Sequence, residues 1–251
     1  MHGLKIIHVL LAGLLICCSS PAQQSSSLTQ SAASLIGQSL AVQTGGQALN
    51  GISMTGAVSV IQGSTTMTGT IALNATGNLH GQVEIEMSSG HNIETRDFSG
   101  TSPVGTKTLS NEGSEQMSVR EAAAMPPAWF LPALVLSSND TQSTYIGREQ
   151  RQGAPVEHLA LWKGVYGRFL TQSELYLDPT TLLPTSVVYH VPAHRPDGTV
   201  PVGPRAPQAI SLRLVFSDYR HVMGLTLPFH IEEYLGADLV RDIVINKIAA
   251  N

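Results

Sequence analysis

The sequence lacks several features that would fix its class at once. Its only two cysteines, Cys17 and Cys18, lie near the amino terminus, so the rest of the chain carries no disulfide, thiol nucleophile or cysteine-ligated metal. Charged residues make up 13% of the 251 residues, about half of the roughly 25% found in average soluble chains. A formal net charge of −4 argues against a nucleic-acid partner, because phosphate binding needs clustered Lys and Arg. A single long apolar run excludes a polytopic membrane protein.

Sequence motifs of catalysis and cofactor binding are also missing. There is no Gly-x-Ser-x-Gly elbow, Ser-x-x-Lys, phosphate-binding loop, dinucleotide fingerprint or His-Glu-x-x-His. The pair His190 and His194 straddles a strand end and a proline, where a spacing of four does not bring side chains together. Glu233 and Arg241 are predicted to pair across the last hairpin. We therefore expect no enzyme, no cofactor and no metal site.

Residues 1–22 have the pattern of a signal peptide. Lys5 gives a basic start, Ile6–Cys18 is almost wholly apolar, and small residues in Ser20–Ala22 indicate cleavage after position 22. The apolar run is too short for the roughly 20 residues of a membrane span. The sequence thus predicts an exported, periplasmic protein. The alternatives are a membrane-anchored lipoprotein acylated at Cys18 and an uncleaved anchor.

A polar linker, 23–27, and a single domain, 28–251, are expected to follow. The domain begins with a helix whose apolar residues recur at helical spacing: Leu28, Ala32, Leu35, Ile36 and Leu40. Ser25–Ser27 offers an N-cap, and Gly45-Gly46 marks the end of the helix.

From Ile52 the apolar period changes to two, which predicts half-buried antiparallel strands. Apolar and polar residues alternate in Met67–Leu73 and in Val83–Met87, whereas Gly100–Ser114 is predicted to be a loop. The Pro-rich stretch His194–Pro207 is predicted to be an exposed loop.

The second half of the chain also shows strand and hairpin signals. Thr144–Gly147 and Val156–Leu161 predict one hairpin, and Asp178-Pro179 predicts the turn of another. About nine to eleven strands are expected by these signals. A sheet this large curls or closes. The predicted fold is therefore mainly β (α+β): a single strongly curved antiparallel sheet, or half-open β-barrel, with a few helices covering its concave face.

One central segment departs from this pattern. Glu115–Met125 is predicted to be helical, and three prolines in Pro126–Leu136 argue against a regular helix or central strand there. Its large apolar side chains, among them Trp129, Phe130 and Leu134, must still be buried. They either plug one end of the sheet or form a lid over an apolar ligand cavity.

Three stretches carry a resemblance to a known family: Glu174–Pro184 (ELYLDPTTLLP), Phe216–Pro228 (FSDYRHVMGLTLP) and Ile243–Ile248 (IVINKI). Together they resemble the LolA/LolB-like outer-membrane lipoprotein carriers, whose members show an LDP-x-T-x-LP hairpin, then F-x-x-Y, then G-x-x-x-P. The specific part covers only the last 80 residues or so, and the motifs mark hairpins rather than chemistry.

The resemblance implies an unclosed β-barrel that binds a lipid or lipoprotein acyl chain in its concave face. The residues expected to line that cavity are Leu212, Leu214, Phe216, Leu225, Leu227, Phe229 and Ile231. Trp129, Phe130 and Leu134 would form the lid. The family latches its lid with a basic residue, for which Arg96 and Arg120 are the candidates in this chain.

Lipid or an acylated protein is thus the expected partner of a monomeric carrier that contacts the membrane peripherally. The first alternative is a non-enzymatic scaffold or interaction protein of the cell envelope, with an envelope protein as partner. The second is a hydrolase, for which the sequence shows no nucleophile–base pair.

Overall fold

The computed structural model describes most of the chain beyond its first 30 residues: 31–110, 112–137, 141–165, 168–191 and 210–250. The predicted signal peptide, the linker and the loop His194–Pro207 lie outside these ranges. They stay predictions, as does the assignment of 28–251 to one domain.

Three helices and thirteen strands occur in the described residues. The helices are α1 (Ala32–Thr44), α2 (Val119–Ala123) and α3 (Pro132–Leu136). The strands are, in chain order, β1 (Gly51–Gln62), β2 (Thr65–Thr76), β3 (His80–Met87), β4 (Gly90–Asp97), β5 (Val104–Leu109), β6 (Gly113–Gln116), β7 (Thr141–Arg151), β8 (Ala154–Val165), β9 (Arg168–Leu177), β10 (Pro184–Val191), β11 (Ile210–Val222), β12 (Leu225–Leu235) and β13 (Asp238–Ala250).

All the strands belong to one antiparallel sheet. Its order is β6-β5-β4-β3-β2-β1-β13-β12-β11-β10-β9-β8-β7, so the first strand pairs with the last and the sheet does not close into a barrel. The predicted fold class, a strongly curved half-barrel with few helices, is confirmed. Of the described helices, even α1 with 13 residues falls short of the roughly 20 needed to cross a bilayer.

Local chemistry explains the hairpin between β9 and β10. The Asp178 carboxylate accepts hydrogen bonds from the backbone N–H groups of Thr180 and Thr181, at 2.9 and 2.7 Å. Leu182 closes the turn with a φ of +58°. The predicted Asp-Pro turn is confirmed, and so is the predicted hairpin β7–β8, which turns at Gln152-Gly153.

Ser31 caps the N-terminus of helix α1, and its side chain accepts a hydrogen bond from the Ser34 N–H at 3.1 Å. The predicted N-cap in Ser25–Ser27 is therefore wrong, but the predicted end is right. Gly45 terminates the helix with a φ of +60°. The buried side of α1, including Ala32 and Leu35, packs into the core near β12 and α3.

Two predictions for the middle of the chain are wrong. Gly100–Ser114 holds β5 and the start of β6, which lie at an edge of the sheet, where mostly polar or half-exposed side chains leave little apolar alternation. Glu115–Met125 is helical only in α2, because Ser118 caps the helix at that point and accepts from the Glu121 N–H. The sheet therefore has more strands than expected.

The prolines of Pro126–Leu136 do not exclude a helix either. Pro132 occupies the first position of α3, where a backbone N–H is not needed. The prediction of an irregular apolar segment holds for Pro126–Leu131, and a short helical turn follows it. We call residues Met117–Ser137, which include α2 and α3, the cover.

Candidate functional site

The seven predicted lining residues lie on the inner face of β11 and β12. All are buried, with at most 6% of each residue exposed, and they belong to one hydrophobic cluster that reaches across both halves of the sheet. The pairing register sets Phe216 opposite Ile231, which keeps their side chains on the same face. Their role in lining a ligand cavity stays a prediction.

The cover supplies further residues of this cluster. Trp129, Phe130 and Leu134 are buried to 2%, 0% and 0% exposure and share the cluster with the lining residues. The Trp129 and Phe130 rings meet edge to face, with 5.7 Å between their centroids. In this conformation the cover packs into the apolar interior, as a plug does, so a ligand would have to displace it.

Two glycines let the cover lie directly on the sheet. A Cβ atom at Gly81 would stand 2.0 Å from the carbonyl oxygen of Pro127, and one at Gly105 would stand 2.5 Å from the sulfur of Met117. Real Cβ atoms do not approach other atoms this closely, so the Pro127 backbone and the Met117 side chain occupy the space that larger residues would need.

Arg96 on β4 holds the polar end of the cover. Its Nη1 donates to the carbonyl oxygens of Glu121 and Ala122, at 3.0 and 2.8 Å, and its Nε and Nη2 donate to Glu94. Only 5% of Arg96 is exposed, whereas Arg120 is exposed. Of the two candidates for a basic latch, the structure therefore places Arg96, and not Arg120, in the position to act as one.

Further charged residues surround Arg96. Lys107 of β5 pairs with Glu121 at 2.5 Å, and Arg241 of β13 pairs with Glu233 of β12 at 2.9 Å. The predicted contact of Glu233 with Arg241 is thus confirmed, with Glu233 only 5% exposed. These groups line a pocket of about 360 Å³ at one end of the apolar interior.

The electrostatics of this end favour ionised side chains. Burial alone would raise the pKa of Glu94, but the guanidinium groups of Arg96 and Arg241 outweigh burial and hold the pKa below its usual value. The Glu233 carboxylate in turn raises the pKa of Arg241. The inner surface therefore divides into an apolar region and an ionic end.

Sequence reasoning missed one arrangement on the outer face. Ser217, His230 and Asp242 lie on β11, β12 and β13, and the imidazole bridges the other two: Nδ1 is 2.9 Å from the serine Oγ and Nε2 is 2.6 Å from the carboxylate. The sequence shows no nucleophile–base pair because these residues meet only through strand register.

Comparisons with known proteins agree with the fold. No family model matches the chain, and no curated protein matches it by sequence. A structure described as an outer membrane lipoprotein-sorting protein domain, from Vibrio parahaemolyticus, is 10% identical, with a TM-score of 0.54 over 87% of this chain and 92% of that one.

Two other solved structures are similar to the same extent. A DUF1329 family protein from Desulfovibrio piger is 10% identical, with a TM-score of 0.55 over 87% of this chain and 91% of that one. A LolA superfamily protein from Nitrosomonas europaea is 11% identical, with a TM-score of 0.52 over 88% and 94%. The predicted LolA-like resemblance is confirmed as a shared fold.

Proposed function

We propose that this protein is an exported, non-catalytic carrier that binds an apolar ligand, a lipid or lipoprotein acyl chain, on the concave face of its half-barrel. The observation that carries the proposal is the cover. Its apolar side chains belong to the same hydrophobic cluster as the seven predicted lining residues, and its other end is tied to the sheet by Arg96. The solved proteins with this fold include one described as lipoprotein-sorting.

Exchange between the cover and a ligand is nearly balanced in apolar burial. Burying an acyl chain contributes about 0.8 kcal/mol per CH₂. The cover also buries apolar side chains in this cluster. If a ligand replaces the cover, apolar surface of the ligand is buried and apolar surface of the cover is exposed. The helices α2 and α3 have five residues each, too short to be stable alone, and depend on the sheet for their structure.

The ties between the cover and the sheet can break and re-form. The cover's described attachments at the ionic end are hydrogen bonds and an ion pair, from Arg96 and Lys107 on the sheet to α2. We propose that ligand entry lifts the Trp129–Leu134 segment, and that the Arg96 bonds to backbone carbonyls favour its return.

Export is part of the same proposal. Residues 1–22 supply the signal peptide and deliver the protein to the periplasm, or Cys18 anchors it to a membrane as a lipoprotein. In either case the carrier would meet membrane lipid at its site of action. The lipid or acylated protein itself is the partner that we propose.

The experiment has two parts. Native mass spectrometry of the protein, purified without detergent, should show co-purified lipid, and a fluorescent fatty acid should bind saturably. Trp129→Ala opens space in the cluster and should increase probe binding while lowering the melting temperature. Trp162→Ala, the same change at a half-buried position of β8 outside that cluster, is the matched control. The carrier proposal would be contradicted if the purified protein contained no lipid and if neither the wild type nor Trp129→Ala bound the fluorescent fatty acid.

An interaction protein of the cell envelope is the first alternative. The observation in its favour is β7, an 11-residue strand at the end of the sheet order with β8 as its only described neighbour. Such an edge offers unpaired backbone groups to a partner strand, and Ile146 on it is 55% exposed. Cross-linking that recovers one defined protein partner, with no lipid, would favour this function.

A hydrolase is the last alternative. One observation supports it, the hydrogen-bonded contact of Ser217, His230 and Asp242. A hydrogen-bonded serine, imidazole and carboxylate form the arrangement that activates serine nucleophiles. His230 and Asp242 have 31% and 39% of their side chains exposed, so water is not excluded from them. Labelling by a fluorophosphonate that is lost in Ser217→Ala would establish a nucleophile, and the absence of labelling would exclude it.

A further inference from the structure

Two carboxylates and a histidine meet on the sheet near the hairpin that joins β3 to β4. Glu84 and Glu86 lie two residues apart on β3, and His91 of β4 lies directly opposite Glu86 in the pairing register. The imidazole Nε2 is 3.2 Å from the Glu84 carboxylate, and its Nδ1 is 3.3 Å from the Glu86 carboxylate. One ligand atom from each residue can be chosen so that all three atoms lie within 4.8 Å of one another.

A neutral imidazole does not satisfy this arrangement. It has one N–H to donate and one nitrogen lone pair, so a lone pair would face a negatively charged oxygen on one side of the ring. The His91 Nε2 is buried, and no hydrogen bond reaches it despite the short distance to Glu84. The two carboxylates also repel each other across the ring. A positive charge between these groups would remove both conflicts.

We infer that Glu84, Glu86 and His91 form a binding site for a divalent transition-metal ion of the Zn²⁺ type. Imidazole nitrogen together with carboxylate oxygen is a donor set that suits zinc, whereas Ca²⁺ and Mg²⁺ prefer oxygen alone. The site lies on three residues outside the apolar interior, and its existence does not depend on the carrier function.

The surroundings leave room for further ligands. Glu84 and Glu86 border a groove of about 410 Å³ that Thr70 of β2 and Asn246 of β13 also line. Three protein ligands leave at least one position of a tetrahedral zinc ion open, and water from this groove can fill it. The Glu84 and Glu86 side chains are 36% and 55% exposed, so an ion can reach their carboxylates from solvent.

Zinc titration tests the site directly. The protein is prepared without a polyhistidine tag, treated with a chelator, and titrated with ZnCl₂ by calorimetry. We expect one zinc ion per chain and a rise in melting temperature, because an ion that binds only the folded state stabilises it. Substitutions next to metal ligands already cost about 10–100-fold in affinity, so His91→Asn should weaken zinc binding at least tenfold.

The control is His80→Asn on the same pair of strands. His80 contacts one carboxylate, that of Asp97 at 3.4 Å, and its loss should leave zinc binding unchanged. If His91→Asn fails to fold, Glu86→Gln at a more exposed position replaces it. Absence of saturable zinc binding, equal loss in both histidine variants, or equal binding of CaCl₂ would each overturn the inference. If the positive charge between the carboxylates were a doubly protonated imidazole and not a metal ion, no saturable zinc binding would be seen.

Discussion

Arg96 makes four hydrogen bonds from a position that is 5% exposed, two to the Glu94 carboxylate and two to backbone carbonyls of the cover. A guanidinium group has five N–H donors in a rigid fork, so it can make all four bonds, whereas a lysine has only three N–H donors. The residue therefore couples the ionic end of the sheet to the C-terminal half of α2.

Removing this side chain should loosen the cover. Arg96→Met keeps the bulk of the side chain and leaves Glu94 without its main partner, and breaking a buried ion pair costs about 3–5 kcal/mol. We expect a lower free energy of unfolding and faster proteolysis within the cover. Arg120→Met, at the exposed neighbouring position, is the control. Equal effects of the two changes would show that Arg96 does not hold the cover.

The ionic end should also respond to acid. The folded protein holds the pKa of Glu94 below the ordinary value of 4.5, so the stability that this group contributes is present above pH 4.5 and is lost as the pH falls through the lower folded pKa. Thermal unfolding of wild type and Glu94→Gln across this range measures it. The stability gap between them should be wide at neutral pH and should close in acid. A gap that does not change with pH would contradict the assignment.

At the scale of elements, contact between the cover and the sheet depends on small residues in the sheet. Gly81 and Gly105 lie beneath Pro127 and Met117. Each of the helices α2 and α3 has only five residues, so most of its stability comes from packing against the rest of the protein. A side chain added beneath the cover should therefore act on the whole segment.

Gly81→Ala should displace the cover. The new Cβ would meet backbone atoms of Pro127, which cannot rotate away, and overpacking costs about 1–3 kcal/mol. Gly37→Ala is the control, and it is expected to raise the free energy of unfolding where Gly81→Ala lowers it. Gly37 is exposed within α1 and meets nothing within 4 Å, so the change should stabilise the helix by about 0.5–1 kcal/mol. Chemical denaturation measures both, and a Gly81→Ala protein as stable as wild type would refute the close contact.

The sequence predicted elements where local chemistry decides them. The β9–β10 hairpin follows from Asp178-Pro179, and the end of α1 from Gly45, because a side chain or a backbone conformation sets each turn. The strands β5 and β6 were missed, since an edge strand with polar faces lacks apolar alternation.

Contacts that depend on how neighbouring strands are aligned could not be predicted from the local sequence. Arg96 was a candidate through family resemblance, but its contact with α2 depends on how the cover crosses the sheet. The groups around His230 and His91 combine residues from neighbouring strands, and a shift of one residue in the pairing would separate them. The apolar faces of β11 and β12 were predicted correctly, because burial follows a simple alternation within each strand.

At the scale of the whole molecule, the sheet has a protected middle and two open ends. The strands β1, β12 and β13 each have neighbours on both sides, whereas β6 and β7 end the order. Amide hydrogen exchange should therefore be slowest in β1, β12 and β13 and fastest in β6 and β7. Protection of β7 equal to that of β12 would contradict an open edge and would indicate that another strand pairs with it in solution.

The pairing of β1 with β13 joins the two halves of the sheet, with Ile52 opposite Ala250. The strand β13 follows the other twelve described strands along the chain, so this seam cannot form until β13 has been synthesised. Pairing between segments so distant in sequence is also slow. Until then the two halves stay unjoined, and β1 is exposed as a temporary open edge of the half that has already been made.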